Sequence, residues 1–319
     1  MRPTDSDPMQ ALLEAIARAE WPADAQRIFH GRGGLHPGCE HLALDAYPPA
    51  WLLTSFRPLG DEELARIGLA LAERWQQIAP GSEPLNWVYQ CRFEGRTETR
   101  LMAGSLPEPH VVTEQGARYL VHLLRGQNHG LFLDMAEGRA WVRQYAAAHP
   151  GLKVLNLFAY TCAFSVAALQ GGARQVVNLD MSQGAIGIGQ QNHALNGLQG
   201  RASFLAHDLF KTWGKVNRAG PYGLVVVDPP SYQKGSFVAS KDYVKLMRRL
   251  PELLIPGGHA LLCLNAPEIG PDFLQQQMAE AAPELVFEQR LPNPAAFADI
   301  APERALKVLV YRAPELPPR

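Results

Sequence analysis

The sequence predicts an α/β protein: a Rossmann-like, seven-stranded, mostly parallel sheet in the C-terminal half and a smaller N-terminal α/β domain. Three observations predict it. Strand-length apolar runs recur seven times after residue 150, and helix-length amphipathic or alanine-rich stretches separate most of them. The last two runs lack a helix of normal length between them. Continuous apolar runs alternating with helices mark strands buried on both faces of a parallel sheet. A pair joined without a helix is expected to lie antiparallel, at one edge.

Taken in chain order, residues 1–25 form a helical arm, because ALLEAIARAEW has helical apolar spacing. Residues 26–105 form the small α/β domain. It begins with a loop, HGRGGLHPG (30–38), followed by LALDAYPPAWLLTSFRP (42–58), a hairpin turning at its prolines. LARIGLALAERWQQIA (64–79) is a helix and LNWVYQCRFEG (85–95) a strand. Residues 106–150 connect: strands within 111–134 lead to a helix over 136–148.

Residues 151–319 hold the large sheet. Its runs are VLNLFA (154–159), QVVNLDM (175–181), ASFLAHD (202–208), GLVVVDPP (223–230), HALLCLN (259–265), LVFEQRL (285–291) and ALKVLVYR (305–312). Helices fall at CAFSVAAL, SQGAIGIGQQNHALNG, KDYVKLMRRLPELL and FLQQQMAEAA. Thr161 and Ser182 stand at N-cap positions, and Gly171 and Gly197 close the helices they follow. Seven strands with a terminal antiparallel pair fit a class I methyltransferase better than a six-stranded dinucleotide fold.

Bulk properties narrow the function classes. The 319 residues are 47% hydrophobic and 19% charged, with a net charge of -1. That balance gives no global case for a polyanion, so RNA would need a local basic face. Cys39, Cys91, Cys162 and Cys263 match neither a zinc spacing nor a disulfide framework, which leaves reduced thiols and no metal. MRPTDSDPMQ lacks a signal-peptide core, and no apolar run reaches about 18 residues. A cytoplasmic protein without membrane association is expected, as a monomer or homodimer.

The chemistry centres on VLNLFAYTCAFSVAALQGGARQVVNLD (154–180). A dinucleotide fold places glycines at its first strand–helix turn so that backbone N–H groups approach a pyrophosphate. Here the turn reads Phe-Ala-Tyr-Thr-Cys. S-adenosylmethionine has no phosphate, so a turn that accepts it can use polar side chains and carbonyls, supplied by Asn156, Tyr160 and Thr161. Asp180, ending the second strand, can accept the ribose hydroxyls. Asp208, ending the third, can accept an adenine amino group. In LVVVDPPSY (224–232) a buried strand runs into Asp228, Pro229 and Pro230 where open α/β sheets bind ligands. The prolines fix the chain and leave carbonyls for a planar amine, while Tyr232 offers a ring for base stacking. A plain turn, a helix cap or a solvated carboxylate would account for each feature taken singly.

GLFLD (130–134), LNLFAYTCAFSVAAL, VVNLDMS, QQNHALNGL and VVDPPSY resemble the ribosomal-RNA large-subunit methyltransferases over residues 110–312. That family includes a cytosine-C5 enzyme and the guanine-N7 half of a bifunctional enzyme. LALDAYPPAWLLTSFRP and WVYQCRFEG look like its central substrate domain, which makes 26–105 a substrate-recognition domain. The resemblance implies that Asp134, Phe158, Tyr160, Thr161, Asp180, Asp208 and Asp228 line an S-adenosylmethionine site. Phe132, Met181 and Ser182 lie in the same motifs and complete the cofactor-binding set. Family members usually carry Gly after the Tyr-Thr pair; Cys162 stands there and is expected to crowd the cofactor's methionine end.

The target atom turns on the fifth strand. Pyrimidine C5 methylation needs a cysteine thiolate to add first, whereas a nitrogen lone pair needs no covalent intermediate. Asn265 occupies the position of the nucleophile in the cytosine-C5 relatives, and Cys263, one layer deeper, is read as a packing thiol. The guanine-N7 relatives also carry Asn in this region. The expectation is therefore an S-adenosylmethionine-dependent enzyme for a base nitrogen of RNA, ribosomal RNA above all, using Asp228, Pro229, Pro230, Tyr232 and Asn265. Rival readings are a protein or small-molecule amine methyltransferase, a cytosine-C5 enzyme, and a dinucleotide oxidoreductase, which the missing G-x-G-x-x-G disfavours. Arg92, Arg96 and Arg100 are expected on one strand face, exposed either to RNA or to solvent. Arg32 with His30 and His36 is a weaker phosphate candidate, and His193 is expected on a helix surface.

Overall fold

The computed structural model describes residues 8–230, 232–233, 237–270 and 272–315; the side chains of Tyr232, Gln233 and Ser240 lie outside that description. The chain forms two compact units. One holds the described residues up to Leu133 together with Pro294–Pro302; the other holds Asp134–Asn293 and the described residues from Glu303. The stretch 106–150 is thus divided between the two units, and a short C-terminal segment belongs to the first.

The first unit contains α1 (Gln10–Arg18), β1 (Gln26–His30), β2 (Leu42–Tyr47), β3 (Ala50–Ser55), α2 (Asp61–Ile78), β4 (Trp87–Phe93), β5 (Arg96–Ala103), β6 (His110–Glu114) and β7 (Ala117–Val121). β1 to β5 make a five-stranded sheet in chain order, and β6 pairs with β7 alone. β2 and β3 form the expected hairpin turning at Pro48-Pro49. β3 and β4 are parallel, so the chain must cross over between them, and α2 is that crossover. Glu63 starts α2 by reaching back to accept from the Gly60 N–H at 2.8 Å. Leu12, Ile16, Ile67, Leu71 and Trp75 of the two helices pack on Leu44, Trp51, Leu53 and Tyr89 of the sheet. The opposite sheet face is polar and carries buried Asp45, Thr54 and Gln90.

Arg92, Arg96 and Arg100 do not share a face as expected. The chain turns at Glu94 and Gly95, both at positive φ, so Arg92 lies on β4 and the other two on β5. Cross-strand pairing of Phe93 with Arg96 and of Tyr89 with Arg100 puts those two on the face opposite Arg92.

The second unit contains α3 (Ala136–Ala148), β8 (Lys153–Leu157), α4 (Ala163–Gln170), β9 (Gln175–Asp180), α5 (Gln183–Leu195), β10 (Ala202–Ala206), α6 (Trp213–Ala219) and β11 (Tyr222–Val227). It continues with β12 (Tyr232–Gln233), β13 (Phe237–Val238), α7 (Ala239–Met247), α8 (Leu250–Leu253), β14 (Leu254–Leu264), α9 (Asp272–Ala281), β15 (Val286–Arg290) and β16 (Lys307–Arg312). The seven-stranded sheet has the order β10-β9-β8-β11-β14-β16-β15. Its first five members are parallel, while β16 runs antiparallel to both neighbours, inserted between β14 and β15. The antiparallel edge pair read from the missing helix is present. Strand order reverses about β8, so a crevice opens beyond the carboxyl ends of β8 and β11. Val225, Val226 and Val227 are fully buried, which explains the unbroken valine run that ends at Asp228.

Candidate cofactor and acceptor site

The turn leaving β8 answers why it carries no glycine. Phe158, Tyr160 and Cys162 have φ of 56°, 47° and 62°. These are left-handed conformations that cost an L-residue about 1–2 kcal/mol each. The turn follows a glycine-like path built from side-chain-bearing residues, so something must hold it there. Asp180 at the end of β9 does so: Oδ2 accepts from the Tyr160 N–H and Oδ1 from the Ser182 N–H, each at 2.8 Å. A carboxylate has about four acceptor sites, so these bonds leave capacity on both oxygens. Strain held in place by a half-buried acid at the carboxyl end of a parallel sheet is a pattern of ligand sites.

A buried polar chain supports the turn from below. Asn156 Nδ2 donates to Asn178 Oδ1 (2.9 Å), Asn178 Nδ2 to Ser165 Oγ (3.0 Å), and the Ser165 hydroxyl to His193 Nε2 (2.8 Å). His193 Nδ1–H donates onward to the Gly189 carbonyl at 2.7 Å. Each group has one consistent role only if His193 is neutral, and burial lowers its pKa in that sense. Asn192 adds a bond to the Thr161 carbonyl at 3.0 Å. His193, expected on a helix surface, is 1% exposed, because α5 turns that face toward α4. Asn156 and Thr161 are equally buried and support the turn from inside.

Cys162, not Thr161, occupies the N-cap of α4 and makes no side-chain cap bond. Its thiol packs with Ala159 and Ile186 instead of crowding the crevice. Gly189 permits this, since a Cβ there would stand 2.4 Å from Cys162 Sγ. Ser182 caps α5 by accepting from the Ala185 N–H at 3.2 Å. Asp208, half-buried past β10, accepts from the Phe210 N–H at 2.9 Å and lies 3.6 Å from Lys211 Nζ. Met181 and Phe132 are exposed, 48% and 42%, and the Phe158 ring meets Phe237 edge-on at 5.2 Å.

At the end of β11, Asp228 is half-buried, Pro229 buried and Pro230 exposed. Burial, reinforced by the Asp134 charge and opposed by Arg139, raises the Asp228 pKa to about 7. Burial and the same two acids push the Cys263 thiol well above its ordinary range. Asp134, Arg139, Asp228 and Cys263 therefore converge where β11 and β14 end. The Tyr243 hydroxyl, 2.6 Å from the Cys263 carbonyl and 3.2 Å from that of Val227, ties the two strands together. Cys263 is fully buried and Asn265 exposed. Tyr232 lies on β12, but its side chain falls outside the described residues.

Sequence reasoning missed Arg139, Asn178, Ser165, Asn192 and Gly189. The available signals were an asparagine inside the apolar run of β9 and an arginine on the buried side of α3, beside Gly138 and Val142. Among the described residues no group of three or more His, Cys, Asp or Glu could hold a metal ion, and no helix is long and apolar enough to cross a membrane.

A family model described as S-adenosylmethionine-dependent methyltransferase matches residues 26–312. The chain is similar to a ribosomal RNA large subunit methyltransferase I from Aeromonas salmonicida, at 35% identity over 196 residues, 59% of this chain and 49% of that protein. It is similar to a ribosomal RNA large subunit methyltransferase K/L from a Psychrobacter species, at 37% identity over 182 residues, 54% of this chain and 22% of that protein. The matched segments thus span half or less of these relatives. A solved structure of a protein provisionally called a methyltransferase, in complex with SAH, superposes with a TM-score of 0.77 and 25% identity, covering 95% of this chain and 79% of that one.

Proposed function

Because the chain belongs to the S-adenosylmethionine-dependent methyltransferase family, we propose that it methylates a base nitrogen of RNA, ribosomal RNA in the first place. The state of Cys263 carries the choice of atom. Attack on a pyrimidine carbon needs a thiolate, and this thiol is fully buried with its pKa pushed up, while exposed Asn265 stands where the nucleophile is expected. The ribosomal substrate rests on the two ribosomal RNA methyltransferase relatives. All four cysteines are free thiols, in keeping with a cytoplasmic enzyme.

The residues fit the cofactor. Asp180 has carboxylate capacity for a ribose diol beyond its two backbone bonds, and Asp208 has an oxygen for an adenine amino group. Asp134, Phe158, Tyr160, Met181 and Ser182 complete the proposed lining, with Asn156 and Thr161 supporting it from within; Phe132 belongs to the first unit. When bound, the cofactor supplies an electrophilic methyl on a sulfonium. The chain's own task is positioning. Asp228 accepts a hydrogen bond from the acceptor base, Pro229 and Pro230 hold their carbonyls toward it, and Tyr232 stacks on the ring. Arg139, buried beside two acids, limits the rise in the Asp228 pKa and so keeps a carboxylate available near neutral pH.

Calorimetry with S-adenosylmethionine tests the cofactor assignment. Asp180→Ala removes two charge-assisted hydrogen bonds that position the turn, each about 1.5–3 kcal/mol. A large loss of affinity is expected, and unchanged affinity contradicts the assignment.

A further inference from the structure

The polar face of the five-stranded sheet in the first unit carries a charged cluster that shares no residue with the site described above. Cross-strand pairing places Arg27, Asp45, Thr54, Gln90 and Arg92 on this face. Arg27 is bidentate to buried Asp45, at 2.7 and 3.1 Å, and donates to His30 Nδ1 at 2.7 Å. Its guanidinium lies 4.4 Å from the centre of the Phe297 ring. Arg92 is held by neutral acceptors, Gln90 Oε1 and the Gln127 carbonyl, both at 2.5 Å. Arg32 lies 3.9 Å and Arg92 6.0 Å from the centre of one ring, Phe56.

The charges do not balance. Arg27 occupies Asp45, and neither Arg32 nor Arg92 makes an ion pair among the described residues. His30 adds no carboxylate; burial, Arg27 and Arg32 lower its pKa to about 4, against Asp45 and Asp299, so it is a neutral acceptor. Two guanidiniums are thus held at one aromatic ring with no ion pair of their own: Asp45, already bidentate to Arg27, is the acid that acts on Arg92, no acid offsets Arg32, and Arg32 is exposed. Like charges are kept together in this way where an anion is to be bound. A guanidinium lying on a ring keeps its donor fork in one plane, matched to phosphate oxygens, and its outer face can stack on a nucleobase. An acidic peptide offers carboxylates but no base to stack.

We propose that Arg32 and Arg92, seated on Phe56, form an RNA-backbone phosphate site on the first unit. This rests on the RNA reading above and supplies the local basic face that a chain of net charge -1 requires.

The experiment is a salt titration of binding to a labelled single-stranded RNA of about 20 nucleotides, followed by fluorescence anisotropy. Each phosphate contact contributes about 0.7 to the slope of log affinity against log salt. Arg32→Gln should lower the slope by about that amount, so its deficit against wild type grows about fivefold for each tenfold drop in salt. Arg32 makes no hydrogen bond among the described residues and only its contact with the Phe56 ring is lost, so melting temperature should fall only slightly and cofactor affinity should not change. Arg32→Lys keeps the charge and should restore the slope. Equal slopes in wild type and Arg32→Gln, with RNA still bound, overturn the site and leave the RNA reading standing. A wild type that ignores RNA at low salt overturns both. Binding of poly-glutamate in place of RNA, lost in Arg32→Gln, assigns the surface to an acidic protein and overturns the proposal.

Discussion

The Asp228 side chain makes a pH prediction whose sign follows from its surroundings. Its pKa is raised from 3.8 to about 7, by burial and then by Asp134. The folded protein therefore holds this proton more tightly than the unfolded chain, and the group's contribution to stability falls as pH rises from about 4 to 7. Above that window the contribution is flat. Asp228→Asn removes this slope, so the variant should gain melting temperature relative to wild type between pH 5 and about 8. Methyl transfer should behave in the opposite way, rising through about pH 7 as the carboxylate forms. A rate profile with no step near neutral pH would remove Asp228 from the acceptor site. Cys162 and Gly189 form a second residue-scale pair. Gly189→Ala brings a Cβ to 2.4 Å from the thiol and should cost about 1–3 kcal/mol by overpacking. Adding Cys162→Gly should recover most of that loss, read as non-additivity in denaturant unfolding.

At the scale of elements, the polar chain joining β8, β9, α4 and α5 holds a strained turn in place. Asn178→Ala leaves Asn156 and Ser165 without their buried partner, at a cost of about 1–3 kcal/mol. It should also weaken cofactor binding, although Asn178 itself is fully buried. Calorimetry on a folded sample checks this; full affinity would mean that the turn holds itself. The sequence revealed the seven strands because their apolar runs are long and unbroken, as in β11, and the edge pair because a helix is missing before β16. Asp180 and Asp228 were legible because acids at strand ends interrupt those runs. The support beneath the turn was not legible, since it depends on which polar residues of separate elements meet. His193 shows the limit: a histidine in a weakly amphipathic helix can face either way until α4 packs against it. Cys162 shows another, because its fit is decided by Gly189, 27 residues away.

At the scale of the whole molecule, the proposed function and the proposed phosphate site assign different tasks to the two units. The second unit carries the strained turn and the acids at the ends of β9, β10 and β11; the first presents an arginine–aromatic face suited to phosphate. Near-neutral overall charge is compatible with RNA binding once the basic groups are collected on one face. The central claim, methylation of an RNA base nitrogen, is tested most directly by mass spectrometry of nucleosides from ribosomal RNA. Cells lacking the gene are compared with cells carrying the wild type or Asp180→Ala. The expected result is one N-methylated base that is absent without the gene, restored by the wild type and not restored by Asp180→Ala. Loss of a C5-methylated pyrimidine instead, or an unchanged nucleoside profile, would contradict the claim.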